Sequence, residues 1–153
     1  DSKIFVGANY IVTPTEKNSP AAIAVCEALG RTLGFARIST LSPEKHDEMI
    51  GFLSQLAHCI AVSLMVCKDS RRLVDYTGDS FRDLTRIAKI NDLMWSELFL
   101  LNKEQLLAQM DLFMEKFTQL RDDIARDDTE AIREMMRLSK QRREYFDIKE
   151  EKK

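Results

Sequence analysis

The sequence predicts a mainly α-helical protein preceded by a single βαβ unit. A β-branched and aromatic segment opens the chain, and a helix-period segment and a second short β-rich segment follow it. From Ser42 onward apolar residues recur at helical spacing between clear start signals. One βαβ unit is too small to be a stable sheet, so we expect it to be the edge of a larger α/β domain.

The first element is a strand over residues 4–13, where "IFVGANYIVT" is rich in residues that favour strands. Ser19 and Pro20 then predict an N-cap and the first helical residue, and Gly34 predicts the end of that helix. "FARISTL" at 35–41 predicts a second short strand. We therefore assign residues 1–41 to the end of a nucleotide-binding domain.

The second predicted domain covers residues 42–153 and is helical. Ser42 and Pro43 begin a helix that can continue to about Cys67, and its apolar character after Met49 predicts burial on most sides. Two short helices, a long helix that begins after the cap Asn102, and a last helix follow, at 80–90, 92–102, 103–126 and 128–147. Long apolar helices in so small a body predict a homodimer.

The composition excludes several classes of protein. Charged residues are 31% of the chain and the net charge is −2, which gives no reason to expect nucleic acid or an anionic membrane as partner. No uninterrupted apolar run approaches the roughly 18 residues that span a bilayer. The three cysteines form no C-x-x-C pair, which favours a reducing, cytoplasmic location. The start of the chain lacks both a signal peptide and an initiator Met, so we expect a fragment or a processed product.

Both histidines lie within "HDEMIGFLSQLAH", residues 46–58. His46-Asp47 could mark a divalent-metal phosphohydrolase, but such a site needs more histidine and carboxylate ligands, and only one other histidine is present. We therefore expect no metal. Near a helix start the dipole favours Asp47, and His46 then caps the helix or lines a cleft.

Ser54, Gln55 and His58 form a polar stripe on this apolar helix, because residues three and four apart share a face. The stripe is either an internal hydrogen-bonded network or the lining of a site for a polar ligand. A serine hydrolase is disfavoured, since the sequence shows neither a nucleophile elbow nor an orienting acid.

Asp83, Arg86 and Trp95 form the other candidate group. Arg86 follows Asp83 by one turn, which allows an ion pair, and the chain's single tryptophan lies nine residues further on. Arg86 could be a fork for a ligand carboxylate with Trp95 as an aromatic wall. The alternative is a surface ion pair and a core tryptophan.

The order "YIVTPT", "LSPEKHDEMIGFLSQLAH" and "FRDLTRIAKINDLMW" resembles the C-terminal part of the prephenate/arogenate dehydrogenase family. The family signature T-R-I-A is intact at 85–88, and S-H-L-P-H stands here as residues 54–58 with Gln55 and Ala57 in place of His and Pro. The resemblance implies a Rossmann domain followed by a helical domain of the 6-phosphogluconate-dehydrogenase-like C-terminal type that forms an intertwined homodimer.

The resemblance also implies the reaction and the site. The family oxidatively decarboxylates prephenate, or oxidises arogenate, in tyrosine biosynthesis, and tyrosine can inhibit it. Arg86 would hold a substrate carboxylate and Asp83 would orient it. The other implied substrate-binding residues are His58, Ser54, Trp95, His46 and Gln55.

Neither the G-x-G-x-x-G fingerprint of NAD or NADP binding nor the H-P-x-x-G segment with the family's catalytic histidine is present. We therefore expect the catalytic residues upstream and no turnover by this chain alone. The alternative is a stand-alone helical dimer that binds a tyrosine-like aromatic carboxylate in a regulatory role.

Overall fold

The computed structural model describes residues 2–69 and 71–147. Its main elements are, in chain order, β1 (Asn9–Val12), α1 (Pro20–Thr32), β2 (Arg37–Thr40), α2 (Pro43–Ile50), a π turn (Gly51–Leu56), α3 (Ala57–Val66), α4 (Asp79–Thr85), a 3-10 turn (Arg86–Ala88), α5 (Asp92–Leu101), α6 (Lys103–Ala125) and α7 (Thr129–Glu144). Further 3-10 helices cover Ser2–Phe5 and Leu73–Tyr76. The first compact unit ends at Gln109 and the second begins at Met110. The last residues of the predicted second domain, 148–153, lie outside the described chain.

The predicted βαβ unit is confirmed. β1 and β2 pair in parallel, with Asn9 opposite Arg37 and Val12 opposite Thr40, and α1 is the connection between them. β1 is shorter than the predicted strand, because the chain first forms a 3-10 helix and then turns at Gly7, where φ is +81°. This left-handed conformation is one that glycine adopts without steric cost.

The predicted helix starts are confirmed by their caps. The hydroxyls of Ser19 and Ser42 accept the backbone N–H groups of Ala22 and Lys45, each at 3.2 Å. Gly34 follows α1 with φ of +83°, as expected of a glycine after a helix C-terminus. In the first turn of α2, the backbone N–H of Glu44 and the Ser42 hydroxyl bond the Glu44 carboxylate and lower its pKa.

The helix predicted for residues 42–67 runs from Pro43 to Val66, but it is interrupted by the π turn. By length and composition this helix could cross a membrane, which differs from our expectation. Polar residues interrupt the apolar sequence of this helix, so it contains no long apolar run. Its mean hydropathy over 18 residues is nevertheless high enough for a membrane span. At its centre the buried Gln55 is hydrogen-bonded to other parts of the first unit, the arrangement of a helix packed within a domain.

Large apolar side chains remain exposed along the same helix, so the predicted burial on most sides is not found in the single chain. Phe52 and Leu53 are each 53% exposed, and Val66 is 77% exposed. Among the described residues the buried apolar side chains are Leu56, Ala61 and Leu106. A stable soluble domain ordinarily buries more apolar surface than the described residues do.

Gly30 is buried where α1 lies on β1, and it allows the Tyr10 ring to approach the helix. A Cβ at this position would lie 2.7 Å from Tyr10 Cδ1, and the ring is held against Phe35 with 4.9 Å between centroids. Any side chain here therefore forces Tyr10 to move.

We predict that Gly30→Ala lowers the free energy of unfolding by about 1 kcal/mol, because overpacking exceeds the gain in helix propensity. Gly51→Ala is the matched control, since its Cβ would meet neighbouring atoms at an ordinary 3.6 Å. Urea unfolding followed by circular dichroism measures both variants. Equal stabilisation by the two substitutions would contradict the packing described for Gly30.

Candidate functional site

The π turn shapes the candidate site because it changes the hydrogen-bond pattern next to His58. The Ser54 carbonyl accepts the backbone N–H of Ala57, and His58 Nδ1 lies 2.9 Å from the same oxygen. A carbonyl can only accept, so Nδ1 carries the proton. In the neutral imidazole, Nε2 is then the acceptor that remains for another group. π turns of this kind are frequent at functional sites.

Trp95 forms one wall beside this imidazole. The His58 and Trp95 rings stack with 3.8 Å between centroids and 30° between planes, and Phe99 lies next to Trp95 at 5.6 Å. His58 and Trp95 are each half-buried. α5 thus brings an aromatic surface to the polar face of α3, as the ligand-site interpretation of Trp95 requires.

Arg86 opens the 3-10 turn that packs against α3, the helix of His58. Thr85 fixes the preceding helix end, because its hydroxyl donates to the Phe81 carbonyl at 2.6 Å. Arg86 is exposed, and its guanidinium has no hydrogen bond or ion pair to any other residue within 2–69 and 71–147. A planar guanidinium with all its donors available can bind a carboxylate through two parallel hydrogen bonds.

The ion pair predicted between Asp83 and Arg86 is not formed. The two residues are three positions apart across the junction of α4 with the 3-10 turn, but both side chains are exposed and no ion pair joins them. The ion pair found on α4 joins Arg82 to Asp79 at 3.9 Å, and Asp83 is exposed. Arg86 is therefore held by the fold of its turn rather than by a carboxylate.

Gln55 belongs to an internal network. It is 4% exposed, its Nε2 donates to the Leu98 carbonyl at 3.0 Å, and its Oε1 accepts from Asn102 Nδ2 at 2.8 Å. Of the two interpretations of the polar stripe, the internal network describes Gln55. Ser54 is half-buried, and its hydroxyl makes no hydrogen bond to the described part of the chain.

His46 lies away from the other site residues. Twelve residues separate it from His58 on one helical segment, which is roughly 18 Å along the axis. Its Nδ1 is 3.0 Å from Asp47 Oδ1, a contact between neighbours near the helix start. Within one chain the structure therefore brings His58 together with Trp95 and the Ser54 carbonyl, whereas His46 lies apart. The turn of Arg86 packs against α3, the helix that carries His58.

The sequence interpretation missed the role of Asn102, for which it predicted only a helix cap. Asn102 does lie between α5 and α6, and its side-chain nitrogen donates to Gln55 Oε1 and to the Asp47 carbonyl at 2.9 Å. An asparagine between two helices predicts a cap, but it does not predict hydrogen bonds to Gln55 and Asp47, which lie 47 and 55 positions earlier in the chain.

Cys59, next to His58, is a poor nucleophile. Burial raises the pKa of its thiol, so less thiolate is present at neutral pH. All three cysteines are free thiols; Cys67 is exposed, and Cys26 and Cys59 are half-buried. In the residues that the structure describes, no group of three or more histidine, cysteine or carboxylate side chains is arranged to hold a metal.

Comparison with known proteins decides the family. The family model described as "Prephenate dehydrogenase, dimerization domain" matches residues 42–138, more than half of the chain. The chain belongs to the prephenate dehydrogenase family. Its expected fold class is thereby confirmed, a mainly helical dimerisation domain preceded by a βαβ unit.

Individual dehydrogenases of this family are similar to the chain over nearly its whole length. The prephenate dehydrogenase of Bacillus subtilis (strain 168) is 27% identical over 152 residues, which are 96% of this chain and 41% of the relative. The cyclohexadienyl dehydrogenase of Zymomonas mobilis is 32% identical over 148 residues, 93% of this chain and 50% of the relative. The chain thus spans half the length of these relatives or less.

Solved structures show the same fold. A. aeolicus prephenate dehydrogenase, in complex with hydroxyphenyl propionate and NAD+, is 30% identical with a TM-score of 0.78 and covers 89% of this chain, which covers 49% of it. Synechocystis arogenate dehydrogenase superposes with a TM-score of 0.82 at 20% identity, covering 94% of this chain, which covers 54% of it. This second likeness concerns the fold alone.

The residues present do not fit a dinucleotide pyrophosphate. Such a group needs a glycine-rich connection between a strand and a helix N-terminus. The connection from β1 to α1, residues 13–19, contains Pro14 and no glycine. No reaction step on this chain is therefore assigned to NAD or NADP.

Proposed function

We propose that this chain forms the substrate-binding and dimer-forming part of an NAD- or NADP-dependent prephenate dehydrogenase. The reaction is the oxidative decarboxylation of prephenate to 4-hydroxyphenylpyruvate in tyrosine biosynthesis, with arogenate as the other candidate substrate. The exposed guanidinium of Arg86 carries this proposal, since it is available on a turn packed against the helix of His58.

Each side chain of the site suits a part of such a substrate. Arg86 binds a carboxylate, Trp95 packs against the six-membered ring, and His58 Nε2 accepts a hydrogen bond from a substrate O–H or N–H. Ser54 is close to this position through its bond with His58. The hydroxyphenyl propionate bound by the A. aeolicus enzyme combines a carboxylate with a phenol ring. Tyrosine has the same two groups, so we expect it to compete for the same residues.

His46, Gln55 and Asp83 have less direct roles in this proposal. His46 lies too far along the helix to reach a ligand held by His58 of the same chain. Gln55 has its amide bonded within the protein. Asp83 contributes negative charge near Arg86 without pairing to it.

The proposed domain boundary lies between residues 41 and 42. The match to the dimerization domain begins at residue 42, and Ser42 caps the first helix of that domain. Residues 1–41 then complete the sheet of a nucleotide-binding domain, which supplies the dinucleotide site and the catalytic histidine. The free cysteines support a soluble protein of the cytoplasm.

In the complete dehydrogenase, Arg86→Ala should lower kcat/KM for prephenate by roughly 100-fold, or about 3 kcal/mol, because the substrate carboxylate loses a charged hydrogen-bonding partner. Reduction of the nicotinamide measures the rate, and the isolated chain should give none. Arg82→Ala is the matched control, since Arg82 is an exposed arginine one turn away.

An unchanged kcat/KM in Arg86→Ala would contradict the proposed site. The same measurement with arogenate in place of prephenate shows which substrate the enzyme prefers. Binding of tyrosine with no turnover of either substrate by the complete protein would instead favour the regulatory dimer.

The exposed apolar side chains support a homodimer. Leu100 and Leu101 are 71% and 85% exposed at the end of α5, and Phe117 is 64% exposed on α6. We predict that the chain sediments at twice its 17.7 kDa mass at micromolar concentration, because a second copy covers this apolar surface. Sedimentation as a stable monomer over this range would exclude the dimer.

A further inference from the structure

A buried amide network lies behind the stack of His58 and Trp95. Gln55 lies in the π turn and is 4% exposed. An amide removed from water costs about 1–3 kcal/mol if its polar atoms find no partner. Its nitrogen bonds the Leu98 carbonyl and its oxygen bonds Asn102. The π turn is therefore tied to α5 by side-chain hydrogen bonds.

Both partners of Gln55, the Leu98 carbonyl and the Asn102 side-chain nitrogen, lie on α5 or at its C-terminal end, and α5 is the helix that carries Trp95. Leu98 is one turn after Trp95 on α5, and its carbonyl belongs to the last turn, where carbonyls lack complete helical partners. It accepts the Asn102 backbone N–H at a long 3.3 Å and Gln55 Nε2 at 3.0 Å. Gln55 thus caps the C-terminal end of the helix that carries Trp95.

Asn102 connects the other end of the network. Its side-chain nitrogen has two hydrogens, and it donates to two oxygens, Gln55 Oε1 at 2.8 Å and the Asp47 carbonyl at 2.9 Å. α2, the π turn and the junction of α5 with α6 are consequently held by three bonds from two amides. A shift of α5 by one residue would leave at least one buried polar atom without a partner.

The same π turn also fixes His58. Ser54 precedes Gln55, and its carbonyl accepts His58 Nδ1–H. One short segment therefore sets the imidazole orientation through its backbone and the Trp95 position through the adjacent side chain. The contact between the two rings, with 3.8 Å between centroids, depends on both.

We propose that Gln55 and Asn102 are positioning residues of the candidate site. They hold α5 in register with the π turn, so that Trp95 lies against His58 and Nε2 of the imidazole faces the ligand as an acceptor. The consequence for substrate rests on the proposed function, whereas the arrangement of the two rings does not. A role in stability alone would leave the surroundings of Trp95 unchanged in a folded variant.

Trp95 reports directly on this arrangement because it is the only tryptophan of the chain. An imidazole stacked on an indole changes its emission, so loss of the stack is visible in the fluorescence of the folded protein. Gln55→Leu removes both hydrogen bonds of Gln55 and keeps most of its volume. Gln105→Leu is the matched control, since Gln105 is half-buried, its backbone lies near Gly51, and its side chain makes no hydrogen bond among the described residues.

We expect Gln55→Leu to retain the helical circular dichroism signal, to change the Trp95 emission intensity at least 1.5-fold, and to raise KM for prephenate about tenfold in the complete enzyme with a smaller change in kcat. Gln55→His keeps one donor and one acceptor, so its Trp95 emission and its KM for prephenate should lie between those of Gln55→Leu and the parent. Gln105→Leu should change neither. If Gln55→Leu does not fold, Asn102→Ala removes the other amide and should give the same changes.

Emission that is identical in the folded Gln55→Leu or Asn102→Ala variant and the parent overturns the positioning role, even if the enzyme turns over prephenate. If the emission changes in the variants but the parent enzyme does not turn over prephenate, the positioning role is supported and the proposed function is contradicted. An equal change of emission in Gln105→Leu overturns the positioning role, because the effect then does not depend on the network.

Discussion

The hydrogen bonding of one buried amide constrains much of the first unit. Gln55 lies in the middle of the most apolar helix of the chain and has little access to water. Its two polar atoms must therefore find partners inside the protein, and they do so on α5 and at the start of α6. These contacts hold the helices that carry His58 and Trp95.

The exposed apolar surface has a different consequence. A chain with three buried apolar side chains among its described residues has little core of its own, yet its helices are long and strongly amphipathic or apolar. The match to a dimerization domain supports the proposal that a second copy covers this surface. In the proposed dimer, stability and assembly are coupled, so the stability of the chain should rise with its concentration.

Local signals in the sequence predicted the local structure well. Ser19 and Ser42 cap helices, Gly34 follows α1 in a left-handed conformation, and the two strands pair in parallel. These features depend on a few neighbouring residues. Gly7 limited β1 to four residues, which a strand-like composition did not reveal.

The features that sequence did not predict depend on contacts between distant residues. The π turn lies within a continuous apolar helix, and no residue type within it signals a π turn. The bond from Asn102 to Asp47 spans 55 positions. The Asp83–Arg86 pair is not formed, because a three-residue spacing allows an ion pair but does not fix the rotamers of two exposed side chains. Helical spacing made Arg86 and His58 candidates, and the family resemblance then gave each of them a proposed role in substrate binding.

Binding of 4-hydroxyphenylpropionate to the protein, followed through the emission of Trp95, tests the account most directly. The ligand supplies a carboxylate for Arg86 and a ring for Trp95. The account predicts saturable quenching or enhancement that is lost in Arg86→Ala and kept in Arg82→Ala. Emission that does not respond to the ligand, or that responds equally in both variants, would contradict a site formed by Arg86, His58 and Trp95.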